Sequence, residues 1–268
     1  MVVGTAAVGA VRFELEREDL FEGAELDSSL WIPHYLPQWS SREASRARYV
    51  LGDGTLRLCI EEDQQPWCPE FDGQLRVSNL QTGVLAGPLG SREGQHRFNP
   101  DVVVREAQAP RLLYTPHYGR FELRAKALAD PRCMVALWMI GVEDVSEHSA
   151  EICVMEVFGR DVEPHRARVG MGVHPFGDPR ISDEFEAVPL DLDAREFHTY
   201  AVDWLPGRVE FAVDGRPVKV VHQAPDYPMQ FMLDVFEFRD QPAGDEPHPY
   251  PKEFVVDSFR GYRPVGVR

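Results

Sequence analysis

Two glutamates five residues apart are the groups in this chain most able to do chemistry. Glu151 and Glu156 lie in the run Ser149–Gly159, among Ile152, Val154, Met155, Val157 and Phe158. That run has the composition of a buried strand closed by a glycine. Side chains alternate faces along a strand, so Glu151 shares a face with Cys153, and strict alternation would send Glu156 to the other side. One extra residue, a β-bulge near Val154–Met155, returns Glu156 to the face of Glu151. The two Cα atoms are then about 13 Å apart at ~3.3 Å per residue. Each side chain reaches roughly 4 Å, which lets the carboxyl groups approach to about 5–6 Å. At that separation one carboxylate can attack an acetal carbon while the other handles the proton, the arrangement of retaining glycosidic cleavage. Taken alone, the pair is better read as a solvated sheet face, because surface glutamate is common.

The elements that must hold such a pair are strands. Gly and Pro number 21 and 22, spread between short β-rich runs, and no heptad, repeat or long helical period interrupts them. This is the pattern of an all-β sandwich. Residues 49–51 and Thr55–Ile60 flank an Asp-Gly turn and read as a hairpin. Arg208–Val213 and Pro217–Val221 flank a second Asp-Gly turn. Arg120–Ala127 alternates apolar Phe121, Leu123 and Ala125 with Glu122, Arg124 and Lys126, a half-buried strand. Phe231–Phe238 reads as a buried strand and Glu253–Tyr262 as the last one. The stretches Glu62–Gly73, Gly83–Pro100 and Gln241–Pro251 read as loops, the first two lying over the cleft or at its ends. No linker divides the chain, so residues 1–268 read as one domain with 1–12 as a loose N-terminal segment.

With the strands in order, the run Glu151–Glu156 resembles the bulged catalytic strand, E-x-D-x-x-E, of glycoside hydrolase family 16, in its laminarinase form. Phe21–Trp31 is similar to that family's opening F-x-G…L-D…W. Tyr118–Lys126, Ala136–Met139, Phe197–Trp204, Val209–Arg216 and Phe254–Tyr262 follow in the family's order. The resemblance implies a β-jelly roll of two curved antiparallel sheets with a concave carbohydrate-binding cleft. It implies Glu151 as nucleophile and Glu156 as acid/base. It also implies Trp138 as a cleft-lining ring and His174 as a histidine that holds the sugar or the acid/base. The plainer readings are a core tryptophan and a satisfied structural histidine. Cys153 departs from the pattern, standing where the family has Asp. A thiol is a poor donor and weak acceptor, and two flanking carboxylates disfavour its thiolate. Either a neighbour elsewhere compensates, or the site is slow or silent; the plain reading is a small hydrophobe on the cleft floor. Weaker candidates for sugar contacts are Trp39, Trp67, His117, Tyr118, Arg76 and Gln81, with Glu237 at the cleft edge. Trp31 and Trp204 read as core. Asp257 is similar to the aspartate that ligates a structural calcium in many relatives, and a solvated Asp is the equal alternative. No cofactor is required by the implied chemistry.

Charge narrows the partners. The formal net charge is -16, which repels phosphate backbones, anionic membranes and strongly anionic polysaccharides. A neutral oligo- or polysaccharide is the expected partner, with no nucleic acid and no membrane. Residues 1–11 are apolar, but no basic segment precedes them and acidic residues follow at once, so they do not read as a secretory signal or a span. The chain as written reads as cytoplasmic, and as secreted if its start is processed or recombinant. Cys59, Cys68, Cys133 and Cys153 show no metal-type spacing. Free buried thiols are the default, although Cys59 and Cys68 could meet across a loop.

Overall fold

The computed structural model describes residues 11–244 and 248–266. Two antiparallel sheets face each other. The first runs, from edge to edge, Arg216–Val221, Arg208–Val213, His198–Leu205, Gly119–Lys126, Lys252–Val265, Thr55–Ile60 and Arg48–Gly52. Arg12–Asp19 also pairs with the long strand Lys252–Val265. The second sheet runs Val162–Glu163, Arg166–His174, Glu151–Phe158, Cys133–Gly141, Met229–Phe238 and Leu75–Gln81, with Glu186–Leu190 paired to Arg166–His174. This is the jelly-roll sandwich expected from the strand pattern and the family resemblance.

Alternation places the core between the sheets. Phe121, Leu123 and Ala125 point inward, while Arg120 pairs with Glu122, and Arg124 with Asp257, on the outer side. Both Asp-Gly pairs form the expected hairpin turns, with positive φ at Asp53, Gly54, Asp214 and Gly215. An aromatic cluster joins the layers: Phe121 lies 4.8 Å from Phe231, and Phe231 and Trp31 lie 5.0 and 5.3 Å from Phe259. Trp31 and Trp204 are both buried core.

The N-terminal expectation needs correction at its boundary. Residues 1–10 lie outside the described residues, but Arg12 already pairs with Val265 and opens a strand. The stretch Glu62–Gly73 contains one short helical turn, Pro69–Asp72. All four cysteines are free and buried. No helix among the described residues is long and apolar enough to cross a membrane.

A second apolar cluster lies on the outer face of the second sheet. Tyr35, Leu36, Trp39, Trp67, Val102 and Val104 come from the loops before and between the early strands. They pack onto Val77, Met232, Phe236, Ala136 and Trp138 and roof one flank of that face. At the edge of that roof a cavity opens over Ala136, Trp138, Glu151, Cys153, Glu156 and His174.

Candidate active site

The strand under that cavity carries the bulge. Trp138 pairs with Cys153 and Leu137 with Met155, so Val154 has no opposite residue on that neighbour. On the other side Gly172 pairs with Cys153 and Gly170 with Glu156, leaving Met171 against both Val154 and Met155. Val154 and Met155 therefore both enter the core, where each is fully buried. Glu151, Cys153 and Glu156 share the outer face. Next to the bulge, opposite Cys153, stands Gly172, at φ +149, where a Cβ would stand 2.2 Å from the Glu184 carbonyl oxygen. Only glycine fits there without rearrangement.

The face opens into a cavity of about 280 Å³. Glu151, Cys153 and Glu156 form its floor, with Ala136 and Trp138 from the neighbouring strand, while His174, Phe236 and His96 make walls. The Trp138 indole N–H donates to Asp234 Oδ2 at 2.8 Å, which fixes the ring. Asp234 is fully buried on the row that contains Ala136 and Glu156. His174 is the cross-strand partner of Glu151; its Nδ1 lies 3.2 Å from Asp183 Oδ2 and its ring stacks on Phe185 at 4.7 Å.

Burial dominates the electrostatics. It pushes the Glu151 carboxyl up to about 8, helped by the charges of Glu156, Glu143 and Asp183. Glu156 is raised for the same first reason, while His174 and Arg160 pull it back down. Burial, then Glu151 and Glu156, hold the Cys153 thiol well above its usual range, so it is a neutral S–H. Burial also raises Asp234, against the pull of the Trp138 hydrogen bond. Two buried carboxyl groups with raised affinity for protons retain at least one proton over the neutral range. That is the state required for one to donate a proton while the other attacks.

Several candidates lie elsewhere. Trp39 is fully buried under the loop roof and donates its indole N–H to the Gln95 carbonyl at 2.8 Å. Trp67 is likewise buried, donating to Asp72 Oδ2 at 2.7 Å and packed edge-on to Tyr35. Gln81 is buried beneath the bridge to Ile32, its side-chain amide unpartnered among the described residues. These three build or underlie the roof and offer no surface to a sugar. His117 and Tyr118 stack on each other at 4.2 Å and both bind Asp226, at the entry to a strand of the other sheet. Glu237 faces the opposite side of its strand from Phe236. It is fully buried, 3.1 Å from Arg76 Nη1, and accepts the Tyr250 hydroxyl at 2.6 Å. A carboxylate so engaged is a structural ion pair and not a cleft edge.

Asp257 does not suit calcium. Its Oδ1 is 3.0 Å from Arg124 Nη1, so a guanidinium stands where a cation would bind, and Lys126 lies over the same Phe197 ring as Arg124. Among the described residues no cluster of three or more His, Cys, Asp or Glu is placed to hold a metal ion.

Two site residues were missed by sequence reasoning. Asp234 had a signal, an acid inside the apolar run Phe231–Phe238. His96 had none, because a loop carries it over the floor: its Nδ1 is 3.4 Å from Glu151 Oε1, and its ring lies 5.1 Å from Trp138.

Comparison with known proteins agrees with this geometry. Residues 114–237 match the model of glycosyl hydrolases family 16, a segment that contains the bulged strand, Trp138 and His174. The GlcNAcα1-4Gal-releasing endo-β-galactosidase of Clostridium perfringens is 28% identical, with a TM-score of 0.81 over 99% of this chain and 66% of that one. The chain thus spans about two thirds of that relative's length. The laminarinase of Flavobacterium sp. UMI-01 is 20% identical, with a TM-score of 0.64 over 93% of this chain and all of that one. The endo-β-1,3-glucanase of Pyrococcus furiosus is 17% identical, with a TM-score of 0.63 over 98% and 99%. These last two show the shared fold. No curated protein matches the chain. With its motifs in order, its bulge in register and residues 114–237 matching the family model, the chain is similar to the glycosyl hydrolases of family 16.

Proposed function

We propose that the protein is an endo-acting hydrolase of a neutral β-linked glycan, working with retention of configuration. Glu156, protonated, gives its proton to the glycosidic oxygen as the Glu151 carboxylate attacks the anomeric carbon. The bond to the leaving sugar breaks, and a covalent glycosyl–Glu151 intermediate forms. Glu156, now a carboxylate, takes a proton from water, whose oxygen displaces Glu151 from the anomeric carbon. Both glutamates return to their starting states, and a sugar hydroxyl in place of water gives transglycosylation. The observation that carries this reading is the bulge at Val154, which puts both acids on one cavity floor beside the ring of Trp138.

Two substrate classes compete. The sequence motifs favour β-1,3-glucan. The higher identity and TM-score to an endo-β-galactosidase than to the laminarinases favour a β-galactoside. The surplus of acids over bases in the chain favours an uncharged sugar in either case. Reducing-end release from a panel of β-glucans and β-galactosides tests the reading. Glu156→Gln is expected to lower turnover by about 10²–10⁴-fold, and Glu151→Gln to abolish it. A rival reading, a carbohydrate-binding protein silenced at Cys153, rests on the departure from the family's acid. Binding without turnover, with activity appearing in Cys153→Asp, would establish that rival instead.

A further inference from the structure

The proposed chemistry requires the charge on Glu151 and the proton on Glu156. The environment works against this division. Glu151 is the more buried acid, facing Glu156 and Cys153 from its own strand, Glu143 from the turn beyond Gly141, and Asp183 beside His174. Glu156 meanwhile has the favourable charges of His174 and Arg160. Left to these influences, the shared proton settles on Glu151, the wrong partner. A hydrogen-bond donor at Glu151 would reverse the preference. The family's acid at position 153 is absent, and a thiol is a weak donor.

His96 is built to supply that donor. Its ring is clamped between Phe176, stacked at 4.5 Å, and Trp138, edge-on at 5.1 Å. Its backbone N–H donates to Glu143 Oε1 at 2.5 Å. His96, Glu143 and Phe176 all adopt positive φ, +47°, +57° and +46°. Three strained residues from three loops meet at one point, and such strain persists only where the surroundings enforce it. Nδ1 of the clamped ring is buried, makes no hydrogen bond among the described residues, and faces Glu151 Oε1 at 3.4 Å. Catalytic hydrogen bonds are often this long without substrate and tighten as charge develops. Burial lowers the imidazole to about 4, so the ring is neutral and carries one N–H.

We propose that His96 is a positioning residue for the nucleophile: its neutral ring donates Nδ1–H to Glu151 Oε1, does the work of the missing acid at position 153, and leaves the shared proton on Glu156. This rests on the reading of Glu151 and Glu156 as the catalytic pair.

The test uses the full chain. His96→Phe keeps the aromatic clamp and removes the donor. His96→Asn keeps an N–H near the Nδ1 position, whereas His96→Gln moves it to the far side of the ring's place. In His96→Phe the acid limb of the kcat/KM profile should move up by about one pH unit, the worth of one hydrogen bond to a charged group. Turnover should fall about tenfold by the same energy. A ¹³C NMR titration of the Glu151 carboxyl should show the same upward shift, with no substrate present. His96→Asn should stay within about threefold of the wild type. Cys153→Asp should restore turnover to His96→Phe, and its gain in that background should exceed its effect on the wild type. If His96→Phe does not fold, His96→Gln against His96→Asn makes the same comparison. An unmoved Glu151 titration in the donor-less variant, or equal gains from Cys153→Asp in both backgrounds, overturns the proposal. Undiminished turnover in Glu151→Gln is a different failure: it removes the catalytic reading and this proposal with it.

Discussion

At the scale of single residues, Glu151 makes the fold sensitive to pH in a calculable direction. Burial and the neighbouring acids push its carboxyl up to about 8 against an ordinary 4.5, and the His96 donor brings it part of the way back. Below about pH 4.5 folded and unfolded chains are both protonated there, and the site costs nothing. Above that the unfolded chain releases its proton before the folded chain does, so stability falls as pH rises. By about pH 8 the full cost of burying the charge is present. Glu151→Gln imitates the protonated form and should remove this slope. A domain of this size shifts by roughly 2–4 °C per kcal/mol. The substitution should therefore raise Tm by several degrees at pH 8.5 and leave it nearly unchanged at pH 4.5. Thermal unfolding at the two pH values checks this, and an equal gain at both would show that the gain is one of packing. The same residue thus weakens the molecule and equips it, as buried functional acids generally do.

At the scale of elements, the site depends on one residue unpaired on one neighbour and on a glycine beside it on the other. Val154 turns the strand so that Glu156 rejoins Glu151, and Gly172, opposite Cys153, has no room for a side chain. Gly172→Ala should cost about 3 kcal/mol, from the unfavourable φ and the overlap with the Glu184 carbonyl. It should also lower turnover more than tenfold by misaligning the two acids. Gly52→Ala, at a strand position with nothing within 4 Å of the new methyl, should change stability by less than about 0.5 kcal/mol. Urea unfolding and initial rates on the two variants separate a local fault at the bulge from a general intolerance of side chains at strand glycines. The bulge was legible in the sequence because two acids in an apolar run fit one face only with an extra residue. The hairpins were legible because Asp-Gly dictates its own turn. The misassignment of Glu237 was avoidable. Asp234 and Phe236 take the cleft side, and alternation sends residue 237 to the other. Trp39 and Trp67 were not decidable, since an indole suits a sugar platform and a loop roof equally well until the loop is folded. His96 was beyond reach for a related reason. Its role depends on where a turn-rich segment crosses the sheet, and long-range placement of that kind leaves no local pattern.

At the scale of the whole molecule, the loop roof shapes what the site can accept. Tyr35, Trp39, Trp67, Val102 and Val104 bury the outer face over Leu75–Gln81 and much of Met229–Phe238. The cavity beside them, about 280 Å³, is at the small end for a ligand pocket. An endo-acting enzyme must bind an internal stretch of its polymer, so the glycan has to run past the roof and not end at it. Cuts then fall anywhere along the polymer. Viscosity should drop early, while few reducing ends have formed, and the first products should be a broad ladder of lengths. Mass spectrometry of the first products, taken beside viscometry on the same soluble β-glycan, measures both. One short oligosaccharide dominating from the start, with viscosity nearly unchanged, would mean that the roof stops the polymer and that the enzyme works from an end, against the endo-acting reading.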